Sequence, residues 1–280
     1  MKFIYAILII LLFAAVLFAF SWEESKGEHF IVYFAQQDKA FANQVLHKAE
    51  KDYRRIATDL GYARNSNFWT WSNRVKIYIY PSHAAFLEAS GRPNWSEGIA
   101  DYKNKKILSY SGSNSFLISV IPHEIAHLIF RDFVGFKGEI PLWLDEGVAQ
   151  WGEEIKRELV KRLVREYLKT GALISLRDMM DLDIRLIKDK ADIQLRSLSI
   201  NNQSRPLAMS GGDLVDLYYI EAASLVGFLI TRYGANSFTD FCRQLRDGKR
   251  LEHALASAYP NSLSGIEELE HKWIEYLRGE

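Results

Sequence analysis

Apolar and polar positions follow two different periods along most of this chain, and at its start they do not alternate at all. From Phe3 to Phe20 the residues are apolar without interruption, after Lys2 and before Ser21, Trp22, Glu23 and Glu24. As a helix, residues 3–20 would reach about 27 Å, enough for a bilayer's hydrocarbon core and longer than the usual core of a signal peptide. Residues 1–21 are therefore expected to be a single-pass transmembrane anchor, with Lys2 on the cytoplasmic side. The alternative is a signal peptide, because Ala19-Phe20-Ser21 offers a small-x-small cleavage site after Ser21. In both versions residues 22–280 form a domain outside the cytoplasm, membrane-bound or secreted.

Beyond this segment the period switches between two and 3.6. His29 to Phe34 reads as a strand. Phe41, Val45, Ala49, Tyr53, Ile56 and Leu60 then recur at helical spacing until Gly61. Arg74 to Tyr80 alternates, with Val75, Ile77 and Ile79 on one side, and Pro81-Ser82 opens a short helix ending near Gly91. Gly98 to Lys103 and Lys106 to Tyr110, joined across Asn104-Lys105, read as a hairpin. Helical spacing follows around residues 116–130, but Pro122 leaves the start of that helix open between Ser113 and Ile121. A second helical segment from Pro141 is expected to continue through Gln150 and Trp151 into Glu153 to Leu168, whose basic face reads as solvated. Residues 171–211 have mixed periodicity, with the polar run Asn201 to Pro206, and suggest an insertion bordering a cleft. Asp213 to Tyr233 is helical, stopped by Gly234, and further helices are expected around 238–245, 251–258 and 263–277. The pattern predicts an α+β fold: a small mixed or antiparallel sheet with one central helix in an α/β lobe (22–135), then a mostly helical C-terminal lobe (136–280).

Composition narrows the partners. A chain of 280 residues with 48% hydrophobic content can bury a sizeable core. Lys plus Arg and Asp plus Glu are 35 each, so no global field favours nucleic acid. The single cysteine, Cys242, excludes an intrachain disulfide and reads as an inert buried thiol. His29, His47, His83, His253 and His271 stand isolated and read as structural or solvated.

The remaining two histidines carry the chemistry. His123-Glu124-Ile125-Ala126-His127 on a helix puts two imidazoles four residues apart on one face with a carboxylate beside them, the outline of a zinc site. Flanking Phe116, Ile118, Val120, Ile121, Leu128, Ile129 and Phe130 make the helix buried, where His and Glu need partners. With eighteen residues between it and His127 comes Glu146, in Trp143-Leu144-Asp145-Glu146-Gly147, and it is taken as the third ligand. No G-x-S-x-G is present, and the lone cysteine has no nearby histidine in sequence, so nucleophilic catalysis has little support.

With these residues the chain resembles the gluzincin metallopeptidases, the peptidase MA-like family with a thermolysin and zinc-aminopeptidase core. The resemblance implies a thermolysin-like zincin fold, Zn2+ bound by His123, His127 and Glu146, and Glu124 as general base in attack of zinc-bound water on the peptide bond of a peptide or protein substrate. It also implies a sheet edge along which an extended peptide lies, with Gly98-Ile99-Ala100 similar to the start of that strand. The family carries an acidic residue four positions after the ligand Glu to orient a histidine, where this chain has Gln150. In the run from Tyr218 to Leu229 the resemblance makes Tyr219 the oxyanion donor, counted back five from Ser224, with Tyr218 the alternative. Rival functions are a zinc- or peptide-binding module of the same fold without turnover, and a hydrolase of non-peptide amides or esters.

Overall fold

The computed structural model describes residues 21–62, 69–135, 140–198 and 205–279. The apolar segment 3–20, expected as anchor or signal, lies outside them, as do residues 201–204 of the polar run.

The N-terminal lobe is a five-stranded sheet with a long helix on its inner face and a short one at one end of its outer face. Its elements in chain order are β1 (Glu23–Lys26), β2 (Phe30–Phe34), α1 (Lys39–Asp59), β3 (Val75–Tyr80), α2 (His83–Ser90), β4 (Ile99–Asp101) and β5 (Lys106–Tyr110). The strand order is β1-β2-β3-β5-β4. β2–β3 and β3–β5 are parallel, and the two outer pairs are antiparallel, so the sheet is mixed. The parallel pairs require crossovers, which α1 and the α2–β4 segment supply. β2, β3 and β5 alternate buried with half-buried residues, so Phe30, Val32, Phe34, Val75, Ile77, Ile79 and Ile107 share the inner face. On that side α1 packs with Ala42, Val45, Ala49, Tyr53 and Ile56, and it ends where expected: Gly61 takes φ +76° and the Tyr62 N–H turns back to the Ala57 carbonyl. β1 was not foreseen. Its residues are too polar to alternate, and it exists as a strand because β2 offers it an edge.

Next come α3 (Ile121–Val134), α4 (Leu142–Gly152), α5 (Arg157–Thr170), α6 (Leu176–Asp181), the antiparallel pair β6 (Asp192–Arg196) and β7 (Pro206–Ser210), and then α7 (Gly211–Tyr233), α8 (Ala235–Arg246), α9 (Leu251–Ala258) and α10 (Ile266–Arg278). The α+β architecture with a helical second half is as expected. One reading needs correction. The helix expected to run unbroken from Pro141 to Leu168 is two helices, interrupted after Gly152 at Glu153, where the backbone leaves helical geometry at ψ 75°. The segment 171–211, of mixed periodicity in sequence, holds α6 and the β6–β7 pair. α7 is long and apolar enough to cross a membrane, yet most of it is buried inside the fold, against α4 above all. That contact is close because Gly147 has no side chain; a Cβ there would stand 2.5 Å from the Ala222 carbonyl oxygen. Gly152 does the same between α4 and α3, where a Cβ would meet Ala126 Cβ at 2.7 Å and the Pro122 carbonyl at 3.0 Å.

Candidate metal centre

The helix that carries His123 and His127 starts before α3. Ser113 Oγ accepts the Phe116 N–H at 3.1 Å, Asn114 and Ser115 open the first turn, and Phe116–Val120 forms a widened π turn. Its last bond runs from the Ile121 N–H to the Phe116 carbonyl. The widening gives room to Pro122, which has no N–H to donate and whose ring would crowd a regular turn. The open question of the helix start is thus settled at Ser113, with Pro122 accommodated inside a continuous helical path.

Four residues apart on α3, the two imidazoles meet edge to face with ring centroids 4.9 Å apart. α4, packed across α3, brings Glu146 to them: one ligand atom from each of His123, His127 and Glu146 lies within 4.8 Å of the others, and His127 Nε2 is 3.6 Å from Glu146 Oε2. In tetrahedral zinc coordination the donor atoms stand roughly 3.3 Å apart, so the triad is near that spacing.

Each imidazole is oriented from behind. His127 Nδ1 meets Asp145 Oδ1 at 3.0 Å, and His123 Nδ1 meets Glu153 Oε1 at 3.0 Å. With both Nδ1 atoms engaged by carboxylates, the Nδ1–H tautomer is favoured and the Nε2 lone pairs are left for a cation, the arrangement of a carboxylate–histidine–metal site. The supporting carboxylates are themselves neutralised. Arg131 donates to Asp145 Oδ2 through Nε at 3.1 Å and through its terminal nitrogen, while Lys156 Nζ lies 2.6 Å from Glu153 Oε2. Burial raises the carboxyl of Asp145, but His127 and Arg131 outweigh it and hold it below the ordinary range; His123 and Lys156 do the same for the buried Glu153. Burial disfavours charge on His127 too, yet Asp145 and Glu146 push its imidazole up to about 10. This electronegative surround suits a divalent cation, which would take the place of that proton.

The supporting role absent at Gln150 is therefore filled by Glu153, three residues further on. It stands directly after α4, as the residue that caps the helix at Gly152. The sequence clue available was an acidic residue directly after a glycine in an otherwise helical run. Tyr102, just past β4, was also missed. Its hydroxyl donates to Glu124 Oε2 at 3.2 Å, and its ring centroid lies 5.4 Å from that of His127. Burial first, and then Glu124, Asp145 and Glu146, keep this phenol protonated.

α7 carries Tyr218 and Tyr219, their rings 6.5 Å apart and edge to face. Tyr218 is fully buried and its hydroxyl has no hydrogen-bond partner among the described residues; Tyr219 is half-buried. Burial raises both phenols and the charge of Glu146 raises them further, Tyr219 to about 12. The charge of Asp183 raises the Tyr218 phenol as well, and that of Arg185 lowers it. Far from it, Cys242 is buried and its thiol is pushed up to about 12 by that burial, as an inert cysteine should be. His29, by contrast, is not isolated: it gathers with Glu28 and Glu50 into a second group of three possible ligands.

No family model matches the chain, and no curated protein matches it. Among solved structures it is similar to native yeast LTA4 hydrolase, with 16% identity and a TM-score of 0.45. The match covers 89% of this chain and 38% of that one, so the chain spans well under half the length of that structure. At this level of likeness the neighbour is a resemblance in outline, and the functional reading has to come from the site.

Proposed function

We propose that the chain is a zinc-dependent peptidase, with His123, His127 and Glu146 as metal ligands and Glu124 as general base. The observation that carries the reading is the two-tier arrangement: three ligand atoms within 4.8 Å of one another, and each histidine backed by its own buried carboxylate. A bound zinc would supply Lewis acidity toward a substrate carbonyl and toward water. Glu124 takes the water's proton as it attacks and returns it to the departing amine, and Tyr102 holds one oxygen of that carboxylate. Tyr219, or Tyr218, donates to the oxyanion from the opposite side. β4 is an edge strand, and an extended peptide could add to it next to Glu124 and be held by backbone pairing. We place the domain outside the cytoplasm, held by residues 3–20 or released by cleavage near Ser21.

The test is metal analysis of the purified protein with a peptide-library digest, comparing wild type with Glu124→Gln. About one zinc per chain in both, with cleavage only in wild type, is expected. Stoichiometric zinc without cleavage of any peptide would leave a binding module instead. N-terminal sequencing of the mature chain separates anchor from signal peptide.

A further inference from the structure

The sheet has a second face that the metal site does not use. By strand register it carries Ile31 and Tyr33 of β2, Lys76, Tyr78 and Tyr80 of β3, and Lys106 and Leu108 of β5, all half-exposed where their neighbours in sequence are buried. The aromatic rings are assembled: Tyr33 stacks on Tyr78 at 4.9 Å, and Trp22 stands edge-on to Tyr78 at 5.5 Å and to Tyr80 at 5.4 Å. α2 covers only the Tyr110 end, through His83 and Phe86.

From this geometry we propose that the outer face of the sheet rests on the phospholipid surface into which residues 3–20 insert; the inference rests on reading those residues as membrane-inserted. The apolar run ends at Phe20, and Trp22 is already part of the aromatic cluster. Two residues of extended chain reach about 7 Å, so the point where the chain leaves the bilayer lies against this face and not against the helical lobe. The chemistry fits that depth. Tyr and Trp partition to the headgroup region, with rings in the apolar boundary and polar atoms in water. Lys76 and Lys106 can lay their stems along the rings and carry their ammonium groups to phosphates, and Lys106 Nζ already sits 6.0 Å over the Tyr78 ring. The acidic groups on this face are offset, Glu24 by Lys26 and Asp101 by Lys106. Docked this way, the sheet separates α3 from the lipid and leaves the metal site turned toward solvent.

The experiment uses the full chain in nanodiscs of phosphatidylcholine and phosphatidylglycerol. Single nitroxide labels are placed through Tyr33→Cys, Ile31→Cys and Leu108→Cys on the face, Leu159→Cys on α5, and Ala14→Cys in the apolar segment, all in a Cys242→Ala background. Collision with oxygen, which concentrates in lipid, is read against collision with a water-soluble nickel chelate. The labels at 31, 33 and 108 lose most of their nickel collisions while the label at 159 keeps them. Labels at 31, 33 and 108 as open to nickel as the one at 159, with the label at 14 in lipid, would overturn the docking alone. A label at 14 open to nickel would overturn the insertion and the docking with it. Face labels shielded from both reagents and broadened by one another would mean that a second copy covers the sheet, which overturns the proposal as well.

Discussion

Two groups of histidine and carboxylate among the described residues have ligand atoms within 4.8 Å of one another: His123, His127 and Glu146, and Glu28, His29 and Glu50. Distance alone does not distinguish them. In the first, each imidazole spends its Nδ1 on a carboxylate outside the triad, so the triad keeps its donor capacity. In the second, Glu50 is itself the partner: one oxygen accepts the His29 backbone N–H at 2.8 Å and the other meets His29 Nδ1 at 2.7 Å. The ring stacks on Tyr53 at 4.0 Å, and Arg54 stands 3.9 Å from Glu28 and 3.8 Å from Glu50, a cation already in place. The second group ties the start of β2 to α1. Unspent donor capacity, and not proximity, is what sets the first group apart as the candidate metal site.

The comparison can be broken most decisively at the ligands. Glu146→Ala or His123→Ala should remove nearly all zinc and all hydrolysis, read by elemental analysis and by the digest; stoichiometric zinc in Glu146→Ala would dissolve the distinction between the two groups. Glu124→Gln is expected to keep the metal and lose about 10² to 10⁴ in turnover. The tyrosines come next. Tyr219→Phe should lower kcat by about 10² to 10³ with zinc content intact, and Tyr218→Phe should be mild. The reverse order would move the donor to Tyr218, whose buried hydroxyl lacks a partner.

Smaller effects sharpen the contrast between the supports. Glu153→Gln should weaken zinc binding by about 10- to 100-fold, seen by competition with a chromophoric chelator, because the acceptor behind His123 loses its negative charge. Unchanged affinity would make Glu153 a mere partner of Lys156. Glu50→Ala should leave zinc content untouched and lower the melting temperature, at a cost of about 1 to 3 kcal/mol for the unpaired His29 groups. Loss of zinc in Glu50→Ala would show that the second group binds metal after all.

Local periodicity made much of this molecule legible. The spacing of Val75, Ile77 and Ile79 placed a strand, that of Val45 through Leu60 placed α1 up to Gly61, and the range 251–258 matches α9 to the residue. The five residues from His123 to His127 put two imidazoles on one face because 3.6 residues make a turn, whatever surrounds the helix. β1 and the break between α4 and α5 were not legible, since their residues follow neither period and acquire structure from the edges and surfaces offered to them; β6 and β7 do alternate, at Ile193 and Leu195 and at Leu207 and Met209, but over runs too short to stand out from the mixed sequence around them.

By itself, then, the sequence determined the elements whose geometry repeats every two or 3.6 residues, the mixed α+β arrangement, and the identities of the two histidines and the glutamates near them. Tertiary structure decided which carboxylates stand behind those histidines, that Tyr102 reaches Glu124 from the end of β4, and that the carboxylate on His29 belongs to its own group where those on His123 and His127 do not. The physical reason is range. A turn of helix is fixed by neighbours along the chain, whereas Glu153 meets His123 through the packing of α4 on α3, where Gly152 leaves no room for a side chain.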